Sequence, residues 1–298
     1  MFYYTMYHKR IKSNFEIKEA IAIEEQEDVD ITIEEAVPPQ FILDDISKGY
    51  VDHITDTYMW FYLKDSYLFY IKDGTYILTH NMGKESNAKQ RNCFLTGLSM
   101  AIALTQQGYI PLHGSVVQKD DQTLVICGTS GSGKSSTTLE LMKRGYRFMA
   151  DDLAVIDSEK QLVLPGFPMQ RLCRDVVQRL TLEESRLVYL GERKDKYGYM
   201  LEETQYTYED KPIKVMVQLK LGEQLSVRRI SGMKKVEMLI HNTYCSFFYE
   251  NRKVPTEILK KYFRVAEKME IYEIVRPRNG NSLDEIVGQI EKIILQSC

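Results

Sequence analysis

Residues 128–135 read Gly128-Thr129-Ser130-Gly131-Ser132-Gly133-Lys134-Ser135, the G-x-x-x-x-G-K-[ST] spacing of a phosphate-binding P-loop. Glycines at these positions let the backbone wrap an anion with successive N–H groups turned inward. The helix that follows adds the positive end of its dipole. On this reading Gly128 to Ser135, with the adjoining Ser136, cradle a nucleotide. Lys134 reaches its β- and γ-phosphates, and the Ser135 hydroxyl sits on Mg²⁺. The flanks agree. Leu124-Val125-Ile126 is a short apolar run, as expected of a strand buried on both faces, and a helical stretch runs from the loop to about Arg144.

Working outward, Arg144-Gly145 ends that helix and a short strand from about Tyr146 leads to Ala150-Asp151-Asp152. A helix of about 11 residues spans about 16 Å, and a strand of about five residues returns the same distance. The acidic end of the strand is therefore delivered beside the loop. Adjacent strand residues point to opposite sides, so the two carboxylates are expected to do different work. Asp151 is assigned as the base facing an acceptor hydroxyl and Asp152 as the Mg²⁺ partner, although alternation alone leaves the two exchangeable. Upstream, His113 to Gln118 and Thr123 to Cys127 read as a hairpin about a polar turn. If Gln118 pairs with Thr123, His113 falls opposite Gly128, where an imidazole can tune Asp151 or meet a phosphate oxygen.

The remaining chain divides at 87/88. Residues 1–87 read as a β-rich subdomain, with an alternating Asp30-Ile31-Thr32-Ile33 and a hairpin of Tyr67–Ile71 and Thr75–Thr79 about Lys72-Asp73-Gly74. The acidic run Glu24 to Glu35 reads as a solvated strand edge. Residues 88–298 hold the P-loop core. In it a helix from Ala88 to Gln107 ends at Gly108, and Ile213 to Ile230 reads as two strands joined at Gly222-Glu223. Helices follow at Met233–Asn242 and Thr256–Lys268, then a strand at Tyr272–Val275, and a last helix is opened by a Ser282/Glu285 capping box. The charged, Tyr-rich segment Glu183 to Lys211 reads as a mobile loop or lid.

Composition excludes several classes. The 298 residues carry 39 basic and 42 acidic side chains, a net charge of −3, with 44% hydrophobic residues. That is an ordinary globular balance without the electrostatic signature of nucleic-acid binding. No run approaches a membrane span, and Met1 to Phe15 has no apolar h-region. The five cysteines are scattered without metal-ligand spacing, so a reduced, cytoplasmic protein is expected. Cys127 and Cys173 read as packing residues.

Together, His113-Gly114, Gly128 to Ser135, Arg144-Gly145-Tyr146 and Ala150-Asp151-Asp152 resemble the catalytic core of HPr kinase/phosphorylase, the P-loop serine kinase family that shares a core with phosphoenolpyruvate carboxykinases. The whole chain looks more like its divergent stand-alone branch, the kinases found with lasso peptides. Pro165-Gly166-Phe167-Pro168 with Arg171-Leu172, Lys196-Tyr197 and Arg276-Pro277-Arg278 are looser matches. The resemblance implies an α/β fold, a phosphoenolpyruvate carboxykinase/HPr kinase-like P-loop core with a β-rich N-terminal subdomain. It implies ATP and Mg²⁺, a serine acceptor on a precursor peptide or protein, and homo-oligomers as a possible assembly. Arg171 and Lys196 are then candidate cations for phosphate or a substrate carboxylate. Thr129, Ser132 and Ser136 depart from the usual HPr kinase loop, and the C-terminal motif tied to phosphorolysis finds no counterpart, which points away from HPr as the acceptor. A small-molecule kinase and a noncatalytic nucleotide-dependent module are the rival readings.

Overall fold

Strand-forming sequence, alternating in burial over Ile31–Glu35 and continuously buried over 67–71, builds the first of two units, Met1–Tyr109. The computed structural model describes residues 1–83, 88–179, 182–191, 196–244, 246, 254–278, 280 and 282–297. Unit 1 contains β1 (Phe2–Met6), β2 (Lys9–Ser13), β3 (Ile21–Ala22), β4 (Ile31–Glu35), α1 (Gln40–Ser47), β5 (Asp52–Ile54), β6 (Tyr58–Tyr62), β7 (Tyr67–Lys72), β8 (Tyr76–Asn81), α2 (Ala88–Phe94) and α3 (Met100–Gln106). Its strands form one sheet in the order β3-β1-β2-β4-β8-β7-β6-β5. The 67–79 hairpin forms as expected, Lys72 pairing with Tyr76. The acidic run does not end on an edge. β4 lies inside the sheet, parallel to both β2 and β8, because Ile31 and Ile33 bury fully while Thr32 and Glu34 alternate to the other, less buried face.

The helix expected over 88–107 is broken by a π turn at Leu95–Ser99. There the Thr96 hydroxyl donates back to Asn92 O at 2.8 Å, a contact that competes with the regular ladder. Gly108 then ends the helical run with φ +92°. The 88–106 helices group with unit 1, since Gln106 Oε1 accepts from Gly74 N at 2.8 Å and Gln107 Nε2 donates to Gly74 O at 2.7 Å. The compact division therefore falls after Tyr109, later than the 87/88 boundary expected from composition.

Unit 2, Ile110–Cys298, carries the candidate site. In order it has β9 (Ile110–Leu112), β10 (Gly114–Lys119), β11 (Gln122–Gly128), α4 (Lys134–Lys143), β12 (Arg147–Ala150), β13 (Ala154–Asp157), β14 (Leu162–Leu164), β15 (Met169–Cys173) and α5 (Arg174–Arg179). There follow β16 (Leu187–Gly191), β17 (Lys196–Met200), β18 (Lys211–Pro212), β19 (Val215–Gly222), β20 (Ser226–Ile230), α6 (Met233–His241), α7 (Thr256–Lys268), β21 (Glu270–Pro277) and α8 (Leu283–Gln296). A six-stranded mixed sheet, β12-β10-β11-β19-β21-β20, is the backbone of the unit. The β10–β11 hairpin has the expected register, Gln118 with Thr123 and Gly114 with Cys127. β11, β19 and β21 run parallel, so their C-terminal ends, including Gly128, lie together.

Both faces of this sheet are covered, which accounts for the continuous apolar run in β11. Val125 and Cys127 pack with Met216, Ile271, Leu239 and Tyr262 on the α6–α7 side. Leu124 and Ile126 pack with Val217, Ile274, Leu141 and Ile290 on the α4–α8 side.

Three other expectations change. β19 and β20 are consecutive in sequence but both pair with β21, which lies between them. The 183–211 segment contributes two sheet strands rather than reading throughout as a loop, because β17 pairs with both β15 and β16; its residues 192–195 lie outside the described set. Ser282 is the N-cap of α8 but, among the described residues, forms no side-chain cap bond. Asp284 and Glu285 supply the favourable charge at that helix start instead. Among the described residues no helix is long and apolar enough to cross a membrane.

Ile126→Ala should test the two-faced core. Ile126 is fully buried, and truncation to Ala is expected to cost about 2–5 kcal/mol. The measurement is the urea unfolding midpoint, which should fall with an unchanged m-value.

Candidate active site

β11 ends on Gly128 and the chain turns through the loop into α4. Gly128, Gly131 and Gly133 have φ of +145°, +81° and +103°. A Cβ at Gly128 would meet Leu219 O at 2.5 Å, so this position needs glycine for space as well as for conformation. Thr129, Ser130 and Gly131 form the exposed crest, while Ser132 is buried. Lys134 curls back, its Nζ donating to Gly128 O at 2.5 Å and reaching Thr129 O at 3.3 Å. Burial pushes the Lys134 ammonium below its ordinary value, and the carboxylates of Asp151 and Asp152 oppose that shift. Ser136 is turned aside and accepts from Arg179 Nη2 at 3.0 Å.

β12 returns beside β10, and the acidic pair follows it. Their divergence does not come from strand alternation. β12 stops at Ala150, and Asp152 lies in the left-handed region at φ +67°, a conformation aspartate tolerates better than most residues. Asp151 Oδ1 accepts from the Ser115 hydroxyl, and Asp151 Oδ2 accepts from Arg171 N at 2.7 Å. Arg171 O accepts from the Ser135 hydroxyl at 3.2 Å. Carbonyl and amide of one strand residue face the same side, so Asp151 and Ser135 meet at one edge of β15. Gln170 Nε2 donates to Ser135 O at 3.1 Å and secures the same junction.

Asp152 faces another set of groups. Its Oδ2 accepts from Arg171 Nη1 and, at 3.0 Å, from the Tyr244 hydroxyl. His113 Nδ1 lies 3.2 Å from Asp152 O and 3.6 Å from Asp152 Oδ1. Both neighbours are acceptors, so Nδ1 carries the proton in these contacts. Burial opposes ionisation of Asp152, yet Arg171, His113, Lys196 and Tyr244 together hold its carboxyl well below the usual carboxylate range. The His113 ring is shifted down, chiefly by burial and further by Lys134 and Lys196, with Asp152 acting against the shift. Its backbone N–H donates to Asn242 O at 2.7 Å, and its ring meets the Tyr244 ring edge-on at 5.2 Å between centroids.

The structure thus brings His113, Lys134, Ser135, Asp151, Asp152, Arg171 and Lys196 into one neighbourhood. Arg171 differs from its expected role as a cation presented to substrate. Its side chain is 6% exposed and its guanidinium is engaged by Asp152. Lys196, opposite Cys173 on the adjacent strand, lies close enough to act on Asp152, His113 and Lys134. Cys127 is sealed in the core, its thiol pushed up to about 12 by burial, which suits packing rather than nucleophilic work.

Ser115 and Tyr244 were not singled out as site residues from sequence, and Arg276 entered only through the loose Arg276-Pro277-Arg278 match. The pairing of Val116 with Ala150 places Ser115 beside Asp151, a signal that exists only once the β10–β12 partnership is known. Tyr244 follows α6 and carries no local motif. Arg276 binds the carbonyls of Ser132 and Gly131 from the end of β21.

Residues 104–178 match the family model for the HPr serine kinase C-terminal domain. The HPr kinase/phosphorylase of Listeria welshimeri is 47% identical over 57 residues, 19% of this chain and 18% of that protein. The Geobacillus sp. HPr kinase/phosphorylase is 47% identical over 55 residues, 18% of each chain. The match thus spans less than a fifth of these relatives' length. A solved HPr(Ser) kinase/phosphatase from Coxiella burnetii overlaps 62% of this chain and 91% of its own at 11% identity and TM-score 0.31, too loose an overlap to argue from.

The depressed Asp152 ionisation makes a pH-dependent contribution to stability. That contribution is complete above the unfolded carboxylate range, about pH 4, and is lost as pH falls toward the lower folded value. Asp152→Asn should therefore be less stable than the parent by about 3 kcal/mol near neutrality, because the buried Arg171 guanidinium loses the carboxylate that pairs with it. In denaturant titrations at a series of pH values the gap should narrow below about pH 4.

Proposed function

We propose that this HPr kinase-like chain is an ATP-dependent kinase that transfers the γ-phosphoryl group to a serine hydroxyl, with a peptide as acceptor. The acceptor class favoured by the whole-chain resemblance is the C-terminal serine of a ribosomally made, lasso-type precursor. The observation that carries the reading is the junction at Arg171, where the first hydroxyl of α4 and the first acid after β12 share one backbone, with Lys134 alongside. A glycine-rich turn without catalytic purpose would not require an acid turn, an imidazole and two lysines around its mouth.

The residues fit Mg²⁺. Ser135 Oγ and the Asp151 carboxylate are hard oxygen donors meeting at the same strand edge. Mg²⁺ is commonly held by one or two protein oxygens, with substrate phosphates completing its shell. Ser135 and Asp151 would hold the ion, and when bound it neutralises charge on the β- and γ-phosphates. This exchanges the roles first given to the two acids. Asp152, on the His113 side and kept ionised by its cationic neighbours, is the group placed to orient the acceptor hydroxyl and receive its proton.

A weakly basic carboxylate suffices for phosphoryl transfer, where positioning and charge stabilisation supply most of the rate and the proton leaves late. Loop amides and Lys134 bind and orient the phosphates. His113 holds the Asp152 turn through its Nδ1 proton, and Tyr244 fixes the Asp152 carboxylate from the other side. Lys196 adds positive charge beside the transferring group without consuming a proton.

The test is incubation with γ-labelled ATP and separate peptide and metabolite pools. Label is expected on serine peptides and absent when their serine is replaced by alanine. Lys134→Ala should abolish transfer. Asp152→Asn should lower kcat by at least about 100-fold with nucleotide affinity retained, whereas Asp151→Asn should weaken Mg²⁺-dependent nucleotide binding. Label appearing only on metabolites would replace the peptide acceptor with a small one. Nucleotide binding without turnover on any acceptor would reduce the protein to a binding module.

A further inference from the structure

We infer that Arg276 is a positioning residue that pins the 131–133 turn of the loop in its anion-receiving shape. It stands at the end of β21, paired in register with Leu221 of β19, and β19 in turn places Leu219 beside Gly128. This brings a guanidinium from the far end of the chain to the loop. Its Nε donates to Ser132 O at 2.8 Å and its Nη2 to Gly131 O at 3.0 Å. One planar cation thus holds the carbonyls of two successive peptide units.

The consequence follows from peptide geometry. In a planar trans unit the carbonyl of one residue and the N–H of the next point in opposite directions. Holding Gly131 O and Ser132 O outward therefore turns the N–H groups of Ser132 and Gly133 inward. The Ser132 N–H closes the turn on Thr129 O at 3.1 Å, which fixes the peptide unit that Arg276 holds from its carbonyl side. Gly133 is the N-cap of α4, and its N–H is the next one aimed at the cradle.

A second observation comes from Gly133 itself. At φ +103° it is in a region that favours glycine, and a Cβ built there would stand 3.3 Å from Arg276 Nε. The bare α-carbon leaves room for the guanidinium to approach. Lys134 works on the other limb, binding Gly128 O and Thr129 O. A cation therefore fastens the carbonyls on each limb of the loop, Lys134 at its start and Arg276 at its end. Lys134 is also placed to meet phosphate; Arg276 is spent on the loop and acts through it.

The inference rests on residues 128–135 being an anion cradle, and the experiment separates the two. Arg276→Ala and Arg276→Lys are made in the full chain. Amide order parameters of Gly131, Ser132 and Gly133 are measured without nucleotide, and Mg²⁺–ATP and Mg²⁺–ADP are titrated calorimetrically. In Arg276→Ala the order parameters should fall from about 0.85 to below about 0.6. Affinity for ATP and ADP should drop by the same factor, about tenfold. KM for ATP should rise in step, with kcat changed far less. Arg276→Lys, a point charge without the fork, should recover only part of the loss, and added guanidinium chloride at millimolar concentration should restore Arg276→Ala toward the parent.

Unchanged order parameters would overturn the inference. So would a loss confined to ATP with a matching fall in kcat, which would make Arg276 a direct γ-phosphate contact. If Arg276→Ala does not fold, Arg276→Lys carries the same comparison. A loosened loop in a protein that binds no nucleotide, parent included, would keep the latch and overturn the kinase reading.

Discussion

Arg171 joins the parts of the site by three separate attachments. Its N–H holds Asp151, its carbonyl holds Ser135, and its guanidinium holds Asp152. The first two fix the mouth of the loop to β15, and the third locks the turn after β12. A buried ion pair need not stabilise a fold relative to an apolar substitute, since desolvation offsets the attraction. Separating the partners is nevertheless expensive, because either charge left alone is stranded away from water. The loop, the acid turn and the three-stranded sheet of β15, β16 and β17 are held in mutual register for that reason.

Electrostatics in this neighbourhood is a balance rather than a single strong pair. Burial lowers the proton affinity of both Lys134 and His113, and the two carboxylates work against it in each case. Asp152 experiences the same burial and is still held ionised, because Arg171, His113, Lys196 and Tyr244 all favour its charged form. In the proposed reaction an entering phosphate chain would meet the loop amides together with Lys134 and Lys196. Preorganisation of this kind is what phosphoryl transfer asks of a protein, since there is little covalent chemistry for side chains to perform.

Local features were legible because their causes lie within a few residues. The β10–β11 register follows from a four-residue turn, and it holds to the last pair, Gly114 with Cys127. Gly108 ends a helix because it can adopt positive φ. The apolar stripe of α8 predicts its buried face, including Ile286, Ile290 and Ile294. Where the reading missed, partners distant in sequence were responsible. The 183–211 segment reads as a loop by charge and tyrosine content, but β17 finds β15 on one side and β16 on the other. The Ser282 capping box fits the spacing, yet among the described residues the serine makes no side-chain cap bond while the acids after it serve the dipole. Tyr244 reaches Asp152 across 92 residues of chain and Arg276 reaches Ser132 across 144, only because α6 and β21 fold back on the site.

The chain's own order of residues determined that a phosphate-type loop follows a two-faced strand, opens a helix, and is met by an acidic pair one helix and one strand later. Those are consequences of repeat lengths and of glycine's freedom at positive φ, which need no long-range information. Tertiary structure decided what each acid faces. The left-handed turn at Asp152 sends one carboxylate toward Ser135 and the other toward His113, Tyr244 and Arg171. That choice depends on β15, α6 and β21 packing around the turn, and a buried charge takes its state from whichever partners surround it, however far away they lie in sequence.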